Sequence, residues 1–185
     1  YPEVEIVSKL SKNDFHKTNY LNVSIRAKKM ATALGKLGVV LGDRVATIAW
    51  NSFRHFELYF AISGIGAICH TINPRLSSEQ LTYIINHAED KIIFLDLSFI
   101  DIIEKHIEKL PHEVKFVLMC ERHEMPESKY INFLCYEDLI EMGSDDFIWP
   151  IFPEDTASGL CYTSGTTGKP KGVLYSNRST VLHAL

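Results

Sequence analysis

The sequence predicts an α/β fold: a doubly wound, mostly parallel sheet. Three observations predict it. Short apolar runs alternate with helical stretches between residues 44 and 119. The runs are apolar on both faces, as strands covered from two sides must be. Parallel neighbours also demand crossovers, which are right-handed almost without exception, so the chain winds in both directions from a central strand.

The elements follow in order. Val4 to Ser8 reads as a short strand. A helix comes next, with Val23, Ala27, Met30, Leu34 and Leu37 spaced 4, 3, 4 and 3 along one face. Gly38 stops it, because glycine accepts the left-handed conformation after a helix end. Gly42-Asp43 makes a turn, and Arg44 to Trp50 reads as a strand. Ser52 caps a helix that runs from near Phe53 to Gly64-Ile65-Gly66. Ala67 to Ile72 is the next strand, stopped by Asn73-Pro74. Ser77 and Gln80 have the capping-box spacing, the cap itself contributing about 1 kcal/mol, before a helix to about His87. Lys91 to Asp96 is a strand. Phe99 to Leu110 is expected as one helix, with Ile102, Ile103, Ile107 and Leu110 inward and Pro111 closing it. Val114 to Met119 is the following strand.

The stretch 120–153 is acidic, contains Pro126, Pro150 and Pro153, and is expected as an irregular connector over the surface. It divides an N-terminal α/β portion, 1–153, from a second portion beginning at 154–185, both within one incomplete domain. Trp50, Phe53, Phe56, Tyr59 and Phe60 are expected to pack in the core, and His183 to pack rather than react. For His70 and Asn73-Pro74-Arg75 the expectation is strand-end and turn geometry.

Composition narrows the function. The 185 residues carry 19 Lys plus Arg against 23 Asp plus Glu, a net charge of −4, which argues against nucleic-acid binding. Charged residues are 23% and hydrophobic residues 46%, as in an ordinary soluble globular protein. Cys69, Cys120, Cys135 and Cys161 form no CxxC pair, so they read as buried small hydrophobes of a reducing cytoplasm. No apolar run approaches the ~20 residues of a membrane span. The missing initiator Met, and a last helix from Ser179 to Leu185 with no cap, predict a piece of a longer chain.

Residues 160–176 carry the chemistry. A strand, Leu160 to Tyr162, enters a loop with Gly165, Gly168 and Gly172, and a second strand, Val173 to Tyr175, leaves it. Glycines let backbone N–H groups converge on phosphate oxygens. Thr163, Ser164, Thr166 and Thr167 add hydroxyls, and Lys169 and Lys171 add compact positive charge. This is not a Walker loop, which needs a helix beginning at its lysine. Pro170 follows Lys169 here, and proline disfavours helix at the residue before it. A strand–loop–strand hairpin is therefore expected.

At Tyr162-Thr-Ser-Gly-Thr-Thr-Gly-Lys-Pro-Lys-Gly172 the chain resembles the adenylate-forming (AMP-binding) family of acyl-CoA synthetases, luciferases and amino-acid-activating domains. The stretches Gly42-Asp43-Arg44-Val45-Ala46, Asn73-Pro74-Arg75-Leu76, 83–90 and Tyr175-Ser176-Asn177-Arg178 resemble its fatty-acyl-CoA synthetase branch, including methylthiopropionate-CoA ligases. The resemblance implies ATP, Mg²⁺ and coenzyme A, with a small carboxylic acid as substrate. Thr163, Ser164, Gly165, Thr166, Thr167, Gly168 and Lys171 would contact ATP, with Lys169 in support. Lys171 would be the catalytic cation at the departing pyrophosphate, and the Thr163 hydroxyl would lie near Mg²⁺. A homodimer of the full-length protein is allowed for. Asn177 departs from the family's frequent His beside the acid pocket. The adenine and ribose sites, the acidic Mg²⁺ ligand and a mobile C-terminal domain would all follow residue 185, so these residues alone are expected to be inactive. Two other readings stay open: an amino-acid-activating domain and a non-catalytic nucleotide-binding module.

Overall fold

The computed structural model describes residues 1–10, 13–163 and 168–185. In chain order these form β1 (Glu5–Lys9), β2 (Phe15–Asn19), α1 (Tyr20–Lys36), β3 (Arg44–Ile48), α2 (Phe53–Gly64) and β4 (Ile68–Thr71). Then come α3 (Ser78–Ala88), β5 (Ile92–Leu95), α4 (Ile100–Glu104), β6 (Lys115–Leu118), β7 (Leu134–Cys135) and α5 (Tyr136–Met142). The chain closes with β8 (Ala157–Thr163), β9 (Lys171–Ser176) and α6 (Asn177–Ala184).

Seven strands form one sheet in the order β7-β6-β5-β3-β4-β8-β9. All pairings are parallel except β8 with β9. The chain steps from β3 to β4 through α2, then returns across β3 to β5 through α3, which is the doubly wound pattern. Side chains alternate to match. Val45, Ile92 and Phe94 enter one core with α1, α2 and α5, while Ala46, Ile48, Ile93 and Leu95 enter the other with α3 and α4. Both faces of the central strands are thereby dry, which is why they read as continuous apolar runs.

The caps form where their side chains predict. Ser52 accepts from the His55 N–H, and Ser77 and Gln80 complete a reciprocal capping box. Gly38 sits at φ +90°, just past the end of α1.

Several expectations change. The stretch 99–110 is not one helix: α4 is five residues long, flanked by 3₁₀ turns at Leu97–Phe99 and Ile107–Lys109. Isoleucines at 100, 102, 103 and 107 have poor helix propensity, and the broken helix still buries Ile103 within α4 and Leu110 after the second turn. The stretch 120–153 contains β7, which pairs with β6, and α5, whose Tyr136, Leu139 and Ile140 enter the core. β2 pairs with β1 in a separate antiparallel hairpin.

The aromatic residues of α2 are also redistributed. Phe53 is buried, but Trp50, Tyr59 and Phe60 are about half exposed. Their place is taken by Arg54, His55 and Glu57, all buried. Glu57 accepts from Arg26 Nε at 2.7 Å and from Tyr136 Oη at 2.7 Å. Glu137 receives Arg26 from α1 and Arg54 from α2. Burial raises the Glu57 carboxyl pKa, against the Arg26 and Tyr136 bonds that oppose the shift. Burial acts the same way on Glu137, but its two arginines outweigh it and bring that carboxyl below its ordinary value. A charged lattice therefore joins α1, α2 and α5.

Candidate functional site

The carboxyl ends of β3, β4 and β8 open onto a cavity of about 340 Å³, lined among others by Thr47, His55, Tyr59, His70, Thr71 and Tyr162. Here the connections after β3 and β4 leave to opposite faces of the sheet, the usual place for a ligand in an open α/β sheet. Thr47, Thr71 and Cys161 stand in one register row across the three strands. Thr47 Oγ1 meets His55 Nε2 at 3.0 Å, and Thr71 Oγ1 meets Cys161 Sγ at 3.3 Å. Tyr59 is pushed up to about 12, by burial first and then by Cys69 and Cys161. The Cys69 thiol rises to about 12 for the same first reason, so it is held as an unreactive thiol.

β8 carries the chain out of this cavity and β9 brings it back. The hairpin aligns Tyr162 with Gly172 and Thr163 with Lys171. Cross-strand partners share one face of a sheet, so the Thr163 hydroxyl and the Lys171 ammonium stem emerge side by side at the mouth, both exposed. Gly168 adopts φ +90°, a conformation that side chains rarely take. Pro170 is buried. Lys169 Nζ lies 5.7 Å from the centre of the Tyr83 ring on α3. Ser164, Gly165, Thr166 and Thr167 lie outside the described residues.

Tyr162 ties the hairpin to α3 and to β4. Its hydroxyl is 2.7 Å from His87 Nδ1, and its ring lies against His70 at 5.2 Å between centroids. Gly172 makes room for it: a Cβ there would stand 3.3 Å from Tyr162 Cζ and 3.1 Å from Leu160 Cδ1. His70 is fully buried, with Nδ1 2.9 Å from both Asp90 oxygens, so it is more than strand-end geometry. Asn73 does form the expected turn, accepting from the Arg75 N–H at 3.0 Å.

Two residues fall elsewhere. Asn177 begins α6 at the far end of β9, so six strand residues separate it from the mouth, roughly 20 Å at ~3.3 Å each. Its amide donates to the Thr156 carbonyl at 3.1 Å, a structural bond. It also touches a separate, largely apolar cavity of about 390 Å³ between α1, α2 and Trp149. His183 is exposed on α6 rather than packed. Sequence reasoning missed Tyr83, His87 and Asp90 as parts of the site. The signal available was the stretch 83–90, which resembled a family motif but suggested no contact.

The profile of the AMP-binding enzyme family matches residues 1–185. The chain is 52% identical over 181 residues to a medium-chain-fatty-acid–CoA ligase of Ectopseudomonas oleovorans, covering 98% of this chain and 33% of that protein. It is 50% identical to a 3-methylmercaptopropionyl-CoA ligase of Ruegeria lacuscaerulensis, covering 98% and 34% respectively. Among solved structures, the anthranilate CoA ligase AuaEII in complex with anthranoyl-AMP superposes with a TM-score of 0.82 at 26% identity, over 91% of this chain and 32% of its own. The chain thus spans about a third of the length of these relatives.

Proposed function

The chain belongs to the AMP-binding enzyme family, and from that premise we propose that it supplies the phosphate-loop portion of an ATP-dependent acid–CoA ligase acting on medium- or long-chain fatty acids. The observation that carries the reading is the hairpin: a loop of glycines, hydroxyls and lysines, rooted beside the switch-point cavity, with Thr163 opposite Lys171. In the proposed reaction the acid's carboxylate oxygen attacks the α-phosphorus of ATP. The bond to pyrophosphate breaks, and pyrophosphate departs with its electron pair. The thiol of coenzyme A then attacks the acyl-adenylate carbonyl and AMP leaves.

An anion must approach a highly charged nucleotide in the first step, and fixed cations and oriented N–H groups lower that barrier. Lys171 is assigned to the charge growing on pyrophosphate. Thr163, Ser164, Gly165, Thr166, Thr167 and Gly168 are assigned to the phosphates, with Lys169 in support. Mg²⁺ fits the Thr163 hydroxyl, a hard oxygen at the mouth. Among the described residues no group of three or more His, Cys, Asp or Glu side chains is placed to hold a metal, and the acidic Mg²⁺ ligand that the family resemblance implies is expected outside these residues. Bound there, the ion would neutralise phosphate charge.

No helix among the described residues is long and apolar enough to cross a membrane, and the proposed setting is the cytoplasm, with a homodimer for the full-length enzyme. The division at 153/154 is proposed as the start of the nucleotide-binding portion, and the 185 residues alone are expected to be inactive. The 50% identical relative supports methylthiopropionate as an alternative acid. Acid-dependent ATP–pyrophosphate exchange by the full-length enzyme, over acids from propionate to palmitate and methylthiopropionate, tests the reading. Exchange strongest with the longer acids supports it. Exchange driven only by amino acids, or none at all, overturns it, as clear turnover by the 185 residues would overturn their inactivity.

A further inference from the structure

The outward face of α3 touches both limbs of the hairpin. Tyr83 and His87 are one helical turn apart, with ring centroids 5.2 Å apart. Neighbours at this spacing share a helix face. His87 Nδ1 bonds the Tyr162 hydroxyl at 2.7 Å, gripping the limb that enters the loop. The Tyr83 ring receives Lys169 Nζ at 5.7 Å, gripping the limb that leaves it. The His87 and Tyr162 rings also meet edge to face, at 5.9 Å and 89°. On its other side Tyr162 is confined by Gly172, where a Cβ would already stand 3.3 Å from the ring, and by buried His70.

The His87–Tyr162 bond joins residues 75 positions apart in sequence, and the two contacts of α3 come before and after residues 164–167 in the chain. His87, His70 and the Gly172 backbone thus all bear on one phenol, and Thr163 is the next residue in the chain. A phosphate-binding loop needs its two ends held at a fixed separation before its N–H groups can converge.

We propose that α3 is a brace for the phosphate loop, in which Tyr83 and His87 fix its outgoing and incoming limbs and make Tyr162 a positioning residue for nucleotide binding. The role in nucleotide binding rests on the ligase reading above; the brace itself does not.

Two measurements separate them. The first is amide hydrogen exchange at Lys169, Lys171 and Gly172 in the 185-residue chain, with the urea midpoint measured alongside. Tyr162→Phe and His87→Ala each accelerate exchange there roughly fivefold, the scale of one lost hydrogen bond. The double variant is no faster than either single one, His87→Asn restores the slow rate, and the urea midpoint falls by no more than the same fivefold change in the folding equilibrium. Unchanged exchange, acceleration that His87→Asn does not reverse, or a midpoint that falls by much more than that overturns the brace. The second is the KM for ATP of the full-length enzyme. The same variants raise it roughly fivefold and leave kcat within about twofold. Faster exchange with an unmoved KM overturns the positioning role. A wild-type enzyme without ATP–pyrophosphate exchange overturns the ligase reading, and the amide data still judge the brace.

Discussion

His70 and Asp90 meet at 2.9 Å in the interior, and neither side chain is exposed. His70 lies on β4, while Asp90 follows α3 just before β5, so the pair ties the end of one strand to the entrance of another. Burial raises the Asp90 carboxyl pKa, and the bond and charge of His70 pull against it. His70→Leu would leave that carboxyl buried without its partner, and breaking a buried pair from one side costs about 3 kcal/mol or more. Replacing both, as His70→Leu with Asp90→Val, removes the orphan and recovers most of the loss. Urea unfolding of His70→Leu, Asp90→Val and the double variant decides: a double variant as unstable as the summed singles would contradict a coupled pair.

Gly143 marks the closest approach of two segments. A Cβ there would fall 2.0 Å from the Lys29 carbonyl oxygen and 2.7 Å from Lys29 Cα. The obstacle is helix backbone, which cannot swing aside as a long side chain can. Gly143→Ala therefore separates α5 from α1 and strains the Arg26–Glu137 bonds between them. The expected loss is about 2 kcal/mol, read as a melting temperature lowered by roughly 4–8 °C for a chain of this size. Gly35→Ala is the control, since a Cβ there meets nothing within 4 Å. Equal melting points for the two variants would rule out the close approach.

The central sheet was legible because its strands are buried on both faces, and Ser52 and Ser77 marked helix starts through their own local hydrogen bonds. β2 was not, since Phe-His-Lys-Thr-Asn pairs only with β1, outside the main sheet, and shows no apolar alternation. β7 and α5 are two and seven residues long, too short for a period to emerge. The exposed aromatics of α2 were misread because Arg54 and Glu57 are buried by partners from α1 and α5, which no local pattern reveals. The strand–loop–strand hairpin was legible, but the contacts that α3 makes with it were not. A tyrosine and a histidine on a helix face look like ordinary surface until the fold brings Tyr162 to them.

Thr163 and Lys171 share the mouth of the hairpin, yet they are assigned different work. In the proposed reaction Lys171 would face the charge that grows as pyrophosphate leaves, so Lys171→Ala should lower kcat for ATP–pyrophosphate exchange on the order of a hundredfold. In the same proposal Thr163 would offer a neutral oxygen to the metal–nucleotide complex in the ground state. Thr163→Ala should instead raise the Mg²⁺ concentration needed for half-maximal rate, with a loss of roughly tenfold or less at saturation. Steady-state kinetics of the full-length enzyme over a Mg²⁺ series separates the two. Adenylation left intact by Lys171→Ala would remove the lysine from its assigned role.

Two buried or half-buried histidines set an acid limit on stability. His55 is enclosed, with Nδ1 3.2 Å from the Trp50 carbonyl and Nε2 3.0 Å from Thr47 Oγ1. Burial lowers its pKa from 6.5, with the Trp50 carbonyl opposing. His16 stacks on Phe53 at 3.7 Å and is lowered by burial first, then by the charges of Arg26 and Arg54. Below pH 6.5 the unfolded chain takes up protons on both residues before the folded chain does. Stability therefore rises with pH in that window. The contribution is complete above 6.5 and is lost as pH falls from 6.5 through the lower folded values. Glu57, with its raised carboxyl, acts in the opposite sense, losing stability as pH rises through its folded value, so a wild-type profile alone would mix the two. His55→Gln keeps neutral donor and acceptor groups in place but cannot take the proton. Between about pH 8 and about pH 5.5 its unfolding free energy should fall less than that of the wild type. Parallel pH profiles for the two would show that His55 does not set the limit.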